Sequence, residues 1–205
     1  MIATLAAAPL AAEEVTIAAL GDSLTQGYGL PEEDGFVPQL TDWLAANGHG
    51  DVTVINAGVS GDTTAGGLAR VAWTLTDEVD AVIVALGGND LLRGIQPAVS
   101  RSNMEGIVAE ISAAGLPVLV AGMEAPGNYG PDFKAEFDAI YPDVAETSGA
   151  LLYPSFLGGL GARDLDEARA LMQPDGIHPN AEGVARIVAD MGPLVSELIA
   201  RATTD

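Results

Sequence analysis

Five short apolar runs, each followed by a stretch long enough for a helix, constrain this chain more than any other feature. They are residues 15–20 (VTIAAL), 52–55 (VTVI), 81–86 (AVIVAL), 117–121 (PVLVA) and 150–153 (ALLY). Most contain β-branched residues and none alternates apolar with charged positions, the pattern of strands buried on both faces. Helix-length stretches lie between and after them, at residues 35–46, 65–76, 97–114, 132–147 and 179–201. Parallel neighbours need crossovers of roughly a dozen residues or more, and these stretches supply them. The expected fold is α/β: a flavodoxin-like five-stranded parallel sheet, order 2-1-3-4-5, covered by helices on both faces. No internal repeat, low-complexity linker or composition break divides residues 15–205, which are expected to form one domain.

Charge narrows the partners. Acidic residues outnumber basic ones 29 to 8, a formal net charge of -21, and no lysine or arginine precedes Arg70. Such a field disfavours nucleic acid, anionic lipid surfaces and polyanionic ligands. Residues 1–12 (MIATLAAAPLAA) are uncharged and end in small residues before Glu13 and Glu14. They resemble the apolar and cleavage-site parts of a secretory signal without its basic start. Residues 1–14 are therefore read as a signal remnant or a disordered leader. A periplasmic or secreted location is expected, with a cytoplasmic one as the alternative. No uncharged apolar run reaches the ~18 residues of a membrane-spanning helix. Nothing in the sequence sets an oligomeric state, and a monomer is the default.

The chain has no cysteine and two histidines, His49 and His178. Thiolate chemistry and three-imidazole metal sites are excluded, and any histidine-dependent catalysis has two candidates. In a parallel sheet of this kind ligands bind beyond the carboxyl ends of the strands. The segments there are GDSLTQGYG, NAGVSGDTT, GGNDLLRG and EAPGNYG. Ser23 follows the first strand directly. It reads either as a capping serine that starts a helix or as a nucleophile lifted above the sheet edge by the turn at Gly21. A serine hydroxyl needs a base, and His178 in Asp175-Gly176-Ile177-His178-Pro179 supplies one. Asp175, three residues earlier, can fix the imidazole tautomer, and Pro179 suits the first position of the last helix. His49 precedes the second strand and falls at the opposite edge. Ser60 sits in a G-x-S-x-G-like stretch that fails because Asp62 replaces the second glycine. Oxyanion donors are expected from the N–H groups of Ser23 and Gly61 and from the Asn89 amide. A calcium loop at Glu32-Glu33-Asp34-Gly35 lacks the alternating ligand pattern and reads as a solvated turn.

GDSL around Ser23, SGDT with Gly61, GGND with Asn89 and DGIHPN with Asp175 and His178 resemble, in order, the successive blocks of the SGNH, or GDSL, hydrolase family. Further phrases, NAGVSGDT, ALGGNDLLRG, NYG and AIYP, are similar to its bacterial branch of arylesterases and multifunctional acyl-CoA thioesterases and lysophospholipases. The resemblance implies a three-layer α/β/α fold and a serine esterase with Ser23, His178 and Asp175 as triad and Ser23, Gly61 and Asn89 at the oxyanion. It implies no metal or organic cofactor. It also places an acyl groove after the asparagine block, where Leu91, Leu92 and Ile95 could line the site, Gly94 could permit movement and Arg93 could stand at the rim. Tyr129 would wall the pocket or staple its loop. Glu124, at the end of the fourth strand, and the acidic excess favour neutral carboxylic esters, aryl and short-to-medium acyl, over coenzyme A thioesters. Acyl-CoA or lysophospholipid hydrolysis, carbohydrate deacetylation or acyl transfer, and a catalytically silent ester- or glycan-binding protein are the alternatives.

Overall fold

A computed structural model describes residues 14–204. Its sheet has the strands β1 (Val15–Gly21), β2 (Val52–Gly58), β3 (Ala81–Ala85), β4 (Val118–Ala121) and β5 (Leu151–Tyr153). All pairings are parallel and the order is β2-β1-β3-β4-β5, as expected from the alternation. The helices are α1 (Ser23–Gln26), α2 (Phe36–Ala46), α3 (Thr64–Thr74), α4 (Gly88–Leu92), α5 (Pro97–Ala113), α6 (Pro131–Asp138), α7 (Ile140–Ser148), α8 (Leu165–Ala170) and α9 (Ala181–Ala202). In one layer α2 packs on α9, and in the other α3, α5 and α7 pack in succession. Every residue of β3 and β4 is buried, so both faces of the sheet are covered. Ile17, Leu20, Ile83, Leu119 and Val120 form its fully buried centre. Among the described residues no helix is long and apolar enough to cross a membrane. The apolar leader at residues 1–12 lies outside the described residues.

Most boundaries fall within a residue or two of the sequence pattern, and three larger or more telling differences have local reasons. Strand β2 continues through Asn56, Ala57 and Gly58, which pair with Ala19, Leu20 and Gly21. As an edge strand exposed at several positions, it has no need of an unbroken apolar run. The stretch 132–147 is two helices, α6 and α7, because Pro142 has no N–H to offer the Asp138 carbonyl one turn back. Pro179 stands outside the last helix. Asn180 is its N-cap, with Oδ1 accepting the Gly183 N–H at 3.0 Å. The acidic stretch at Glu32–Asp34 is a 3-10 turn leading into α2.

The carboxyl ends of β1, β2 and β3 are level, since Gly21 pairs with Gly58 on one side and Ala85 on the other. This lets α1 lie against the end of β2. A Cβ on Gly58 would come within 2.8 Å of Gln26 Cα and 2.9 Å of the Asp22 carbonyl oxygen, both main-chain atoms. Gly58→Ala should therefore destabilise the fold by ~1–3 kcal/mol. The thermal midpoint should drop by several degrees. A midpoint equal to wild type would contradict this packing.

Candidate active site

Where β1 ends, the chain turns at once. Asp22 is the N-cap of α1, its Oδ1 accepting the Leu24 N–H at 3.0 Å, and Ser23 is the first helical residue rather than the cap. The helix stops after one turn at Gly27, whose φ of 88° is left-handed and whose N–H returns to the Ser23 carbonyl.

Asp175 and His178 meet this turn from the loop before α9. Asp175 Oδ1 accepts the N–H groups of Ile177 at 2.9 Å and His178 at 3.1 Å. Its Oδ2 lies 2.7 Å from His178 Nδ1, and His178 Nε2 lies 2.8 Å from Ser23 Oγ. The hydrogen bond from His178, with those backbone donors, lowers the Asp175 pKa to about 2. Asp175 is thus a carboxylate above that pH, which places the neutral imidazole's proton on Nδ1 and leaves Nε2 to accept from the serine hydroxyl. Two further contacts hold the loop. Met172 and Pro179 form an antiparallel bridge, and Gln173 Nε2 donates to the carbonyls of Tyr28 at 2.8 Å and Pro179 at 3.0 Å. The Tyr28 ring lies 4.8 Å from the imidazole. His49 is remote, at the amino end of β2, with its N–H on the Leu44 carbonyl. Ser60 Oγ donates to Gln26 Oε1 at 2.9 Å and meets no histidine.

The proposed oxyanion donors come from three connections. The N–H groups of Ser23 and Gly61 have no acceptor among the described residues. Gly61 has a φ of 86°, and its carbonyl accepts Arg93 Nη2 at 2.7 Å. Arg93, expected at the rim of the groove, is thereby tied to the loop after β2. Asn89, on α4, donates Nδ2 to Asp22 Oδ2 at 3.2 Å.

Three charged residues that support this arrangement were not singled out from the sequence. Asp22 is 1% exposed, and its pKa is raised to about 6. Burial drives the rise; donors from Leu24 and Asn89 and the nearby His178 oppose it, while Asp90 adds to it. Asp90 is also buried. It accepts Thr64 Oγ1 at 2.6 Å, the Thr64 N–H at 2.9 Å and Ser100 Oγ at 2.8 Å, joining α3 and α5 to α4. Arg70 binds Asp62 at 2.6 Å and donates to the carbonyls of Ala57 and Gly21, both at 2.8 Å, across the ends of β1 and β2. The Asp22 cap was readable from its place between a strand and a helix. Thr64, a partner of Asp90, and Gly21, a partner of Arg70, are too far away in sequence to signal themselves.

Beside Ser23 and Asn89 opens a cavity of about 440 Å³, with Leu91, Leu92, Met123, Tyr129, Leu157 and Ile177 in its wall. Its charged lining residues are Asp22 and Glu124, and none is cationic. Tyr129 both walls the cavity and staples it. Its hydroxyl donates to the Leu91 carbonyl at 2.7 Å, and its ring stacks on Phe133 with centroids 4.8 Å apart. Phe133 stacks in turn on Phe137, which meets Tyr141 edge-on, and the Tyr141 hydroxyl donates to the Leu86 carbonyl at 3.0 Å. Ile95 does not line the cavity: the chain reverses at Gly94, φ 61°, and the Ile95 N–H returns to the Asp90 carbonyl. Gly61 is likewise outside its lining.

A hydrogen-bonded Ser–His–Asp chain at the carboxyl edge of a parallel sheet is the arrangement of a serine hydrolase. The chain belongs to the GDSL-like Lipase/Acylhydrolase family, whose pattern matches residues 19–186. It is 39% identical over 189 residues to an arylesterase of Vibrio mimicus, covering 90% of each chain. It is 38% identical over 185 residues to esterase TesA of Pseudomonas aeruginosa, covering 90% of this chain and 89% of TesA. The crystal structure of AlinE4, an SGNH-hydrolase family esterase, superposes with a TM-score of 0.74 at 42% identity, over 91% of this chain and 97% of AlinE4.

The position of Asp22 has a consequence for stability. Its folded pKa of about 6 exceeds the ordinary 3.8, so its contribution is intact below that ordinary value and is lost as pH rises through about 6. Asp22→Asn, neutral at every pH, lacks this loss. In urea denaturation, the stability of Asp22→Asn relative to wild type should increase by ~2 kcal/mol between about pH 4.5 and about pH 7.5. A pH-independent difference would contradict the buried ionisation.

Proposed function

We propose that this serine ester hydrolase turns over neutral aryl and short-to-medium acyl esters through an acyl-enzyme on Ser23. The observation that carries the reading is the continuous chain from Ser23 Oγ to His178 at 2.8 Å and from His178 to Asp175 at 2.7 Å. Ser23 Oγ attacks the ester carbonyl as His178 Nε2 takes its proton, and the Asp175 carboxylate stabilises the imidazolium. The developing oxyanion is met by the Ser23 and Gly61 N–H groups and by Asn89 Nδ2. His178 passes the proton to the departing alcohol, then deprotonates the water that attacks the acyl-enzyme. The free alcohol and the acid are released, and Ser23 recovers its proton.

Electrostatics support the substrate preference. The cavity wall is largely apolar, its charged members are carboxylates, and the chain carries a net charge of -21. An acyl chain fits such a wall, whereas the phosphates of coenzyme A would meet repulsion. The arylesterase name of the Vibrio mimicus relative agrees with this preference.

Ser23→Ala and His178→Ala should each lower kcat/KM for a p-nitrophenyl ester by about 10⁴-fold or more with an unchanged thermal midpoint. Wild-type-like turnover in a folded Ser23→Ala protein would overturn the assignment. For matched acyl groups, kcat/KM should favour the neutral ester over the acyl-CoA, and Glu124→Lys should narrow the gap. Preference for the acyl-CoA at physiological salt would reverse the substrate order.

A further inference from the structure

Asp22 occupies a place where a carboxylate is unfavourable, and its two oxygens have different partners. Oδ1 accepts the Leu24 N–H at 3.0 Å and so fixes the turn that carries Ser23. Oδ2 accepts Asn89 Nδ2 at 3.2 Å and so fixes a side chain on α4, on the far side of the β1–β3 boundary. Capping alone does not require this residue, because Ser, Thr or Asn caps a helix as Asp does. An ionised carboxylate differs in accepting with both oxygens and donating with neither. It therefore dictates which end of the Asn89 amide faces it. With Nδ2 on the carboxylate, the second N–H remains for the cavity that Asn89 lines together with Ser23. Rotated by half a turn, the same amide would put a carbonyl oxygen where negative charge develops. Gly88 leaves room for the contact, since a Cβ there would stand 3.3 Å from Asp22 Oδ2.

We propose that Asp22 is a positioning residue for the oxyanion, orienting the Asn89 amide and tying it to the turn that carries the nucleophile. This rests on the ester-hydrolase reading and deepens it. Asp22 acts through Asn89 and takes no proton from the ester. One carboxylate thus couples the attacking oxygen to the group that stabilises the product of attack.

A double-mutant cycle on p-nitrophenyl ester hydrolysis tests this. Asp22→Asn keeps the shape and a capping oxygen but can offer an N–H to Asn89, donor against donor, which favours the reversed amide. It should lower kcat by about 100-fold or more while KM changes less than about threefold. Asn89→Ala should lose a similar factor. The double variant should be no slower than Asn89→Ala, because orientation matters only while the amide is present. Losses that multiply, or an Asp22→Asn enzyme with wild-type kcat, would overturn the proposal. If Asp22→Asn does not melt cooperatively, Asp22→Ser, which retains a capping oxygen, carries the cycle under the same criteria. Wild-type turnover and its loss in Ser23→Ala test the ester-hydrolase reading separately; an inert wild type would overturn both.

Discussion

The level register of the three strands β2, β1 and β3 is the constraint on which the site depends. Gly21 faces Gly58 and Ala85 across two parallel ladders, so the connections after these strands leave the sheet at one height. The strand order changes direction around β1, opening a crevice between the segments that follow β1 and β3. Ser23 lies two residues beyond the end of β1 and Asn89 four beyond the end of β3. A slip of one residue in the β1–β3 pairing would shift the two connections along the strand by ~3.3 Å. The Asp22–Asn89 hydrogen bond, at 3.2 Å, could not survive that shift unchanged.

Buried charge then converts a level edge into fixed loops. Buried Asp22 and Asp90 and half-buried Arg70 each take a partner from a connection distant in sequence. Unpaired, such groups would be expensive to bury, whereas hydrogen-bonded they specify one arrangement of short loops that have little apolar area of their own. Asp22 shows the balance: donors from Leu24 and Asn89 only partly offset its burial, and its pKa stays at about 6. That residual penalty sits beside the nucleophile, where stability is commonly exchanged for function. The row of aromatic rings from Tyr129 to Tyr141 extends the fixation to the cavity beside Ser23, linking its wall to the end of β3.

The layers were legible in the sequence because buried parallel strands must be apolar throughout, and this fixes the runs at residues 81–86 and 117–121. The exposed edge strand escapes that requirement, so the last three residues of β2 read as a loop. Ser23, His178 and Asp175 were legible by elimination and by place: there are two histidines, and one of them follows a strand-and-helix alternation that puts it at the carboxyl edge. Pro142 and Pro179 are single-residue effects, visible once the helix positions are known but ambiguous before. Asp22 and Asp90 stood in quoted motifs, yet their burial depends on packing between segments. Ile95 could not be separated from Leu91 and Leu92 because the reversal at Gly94 is a backbone feature.

In the mechanism proposed above, this turn and this histidine loop activate one serine, Ser23. Treating the protein with a fluorophosphonate and mapping the adduct by peptide mass tests it most directly. A single residue, Ser23, should be modified, with labelling strongly slowed in His178→Ala. Modification of Ser60, or no modification at all while ester turnover continues undiminished, would contradict it.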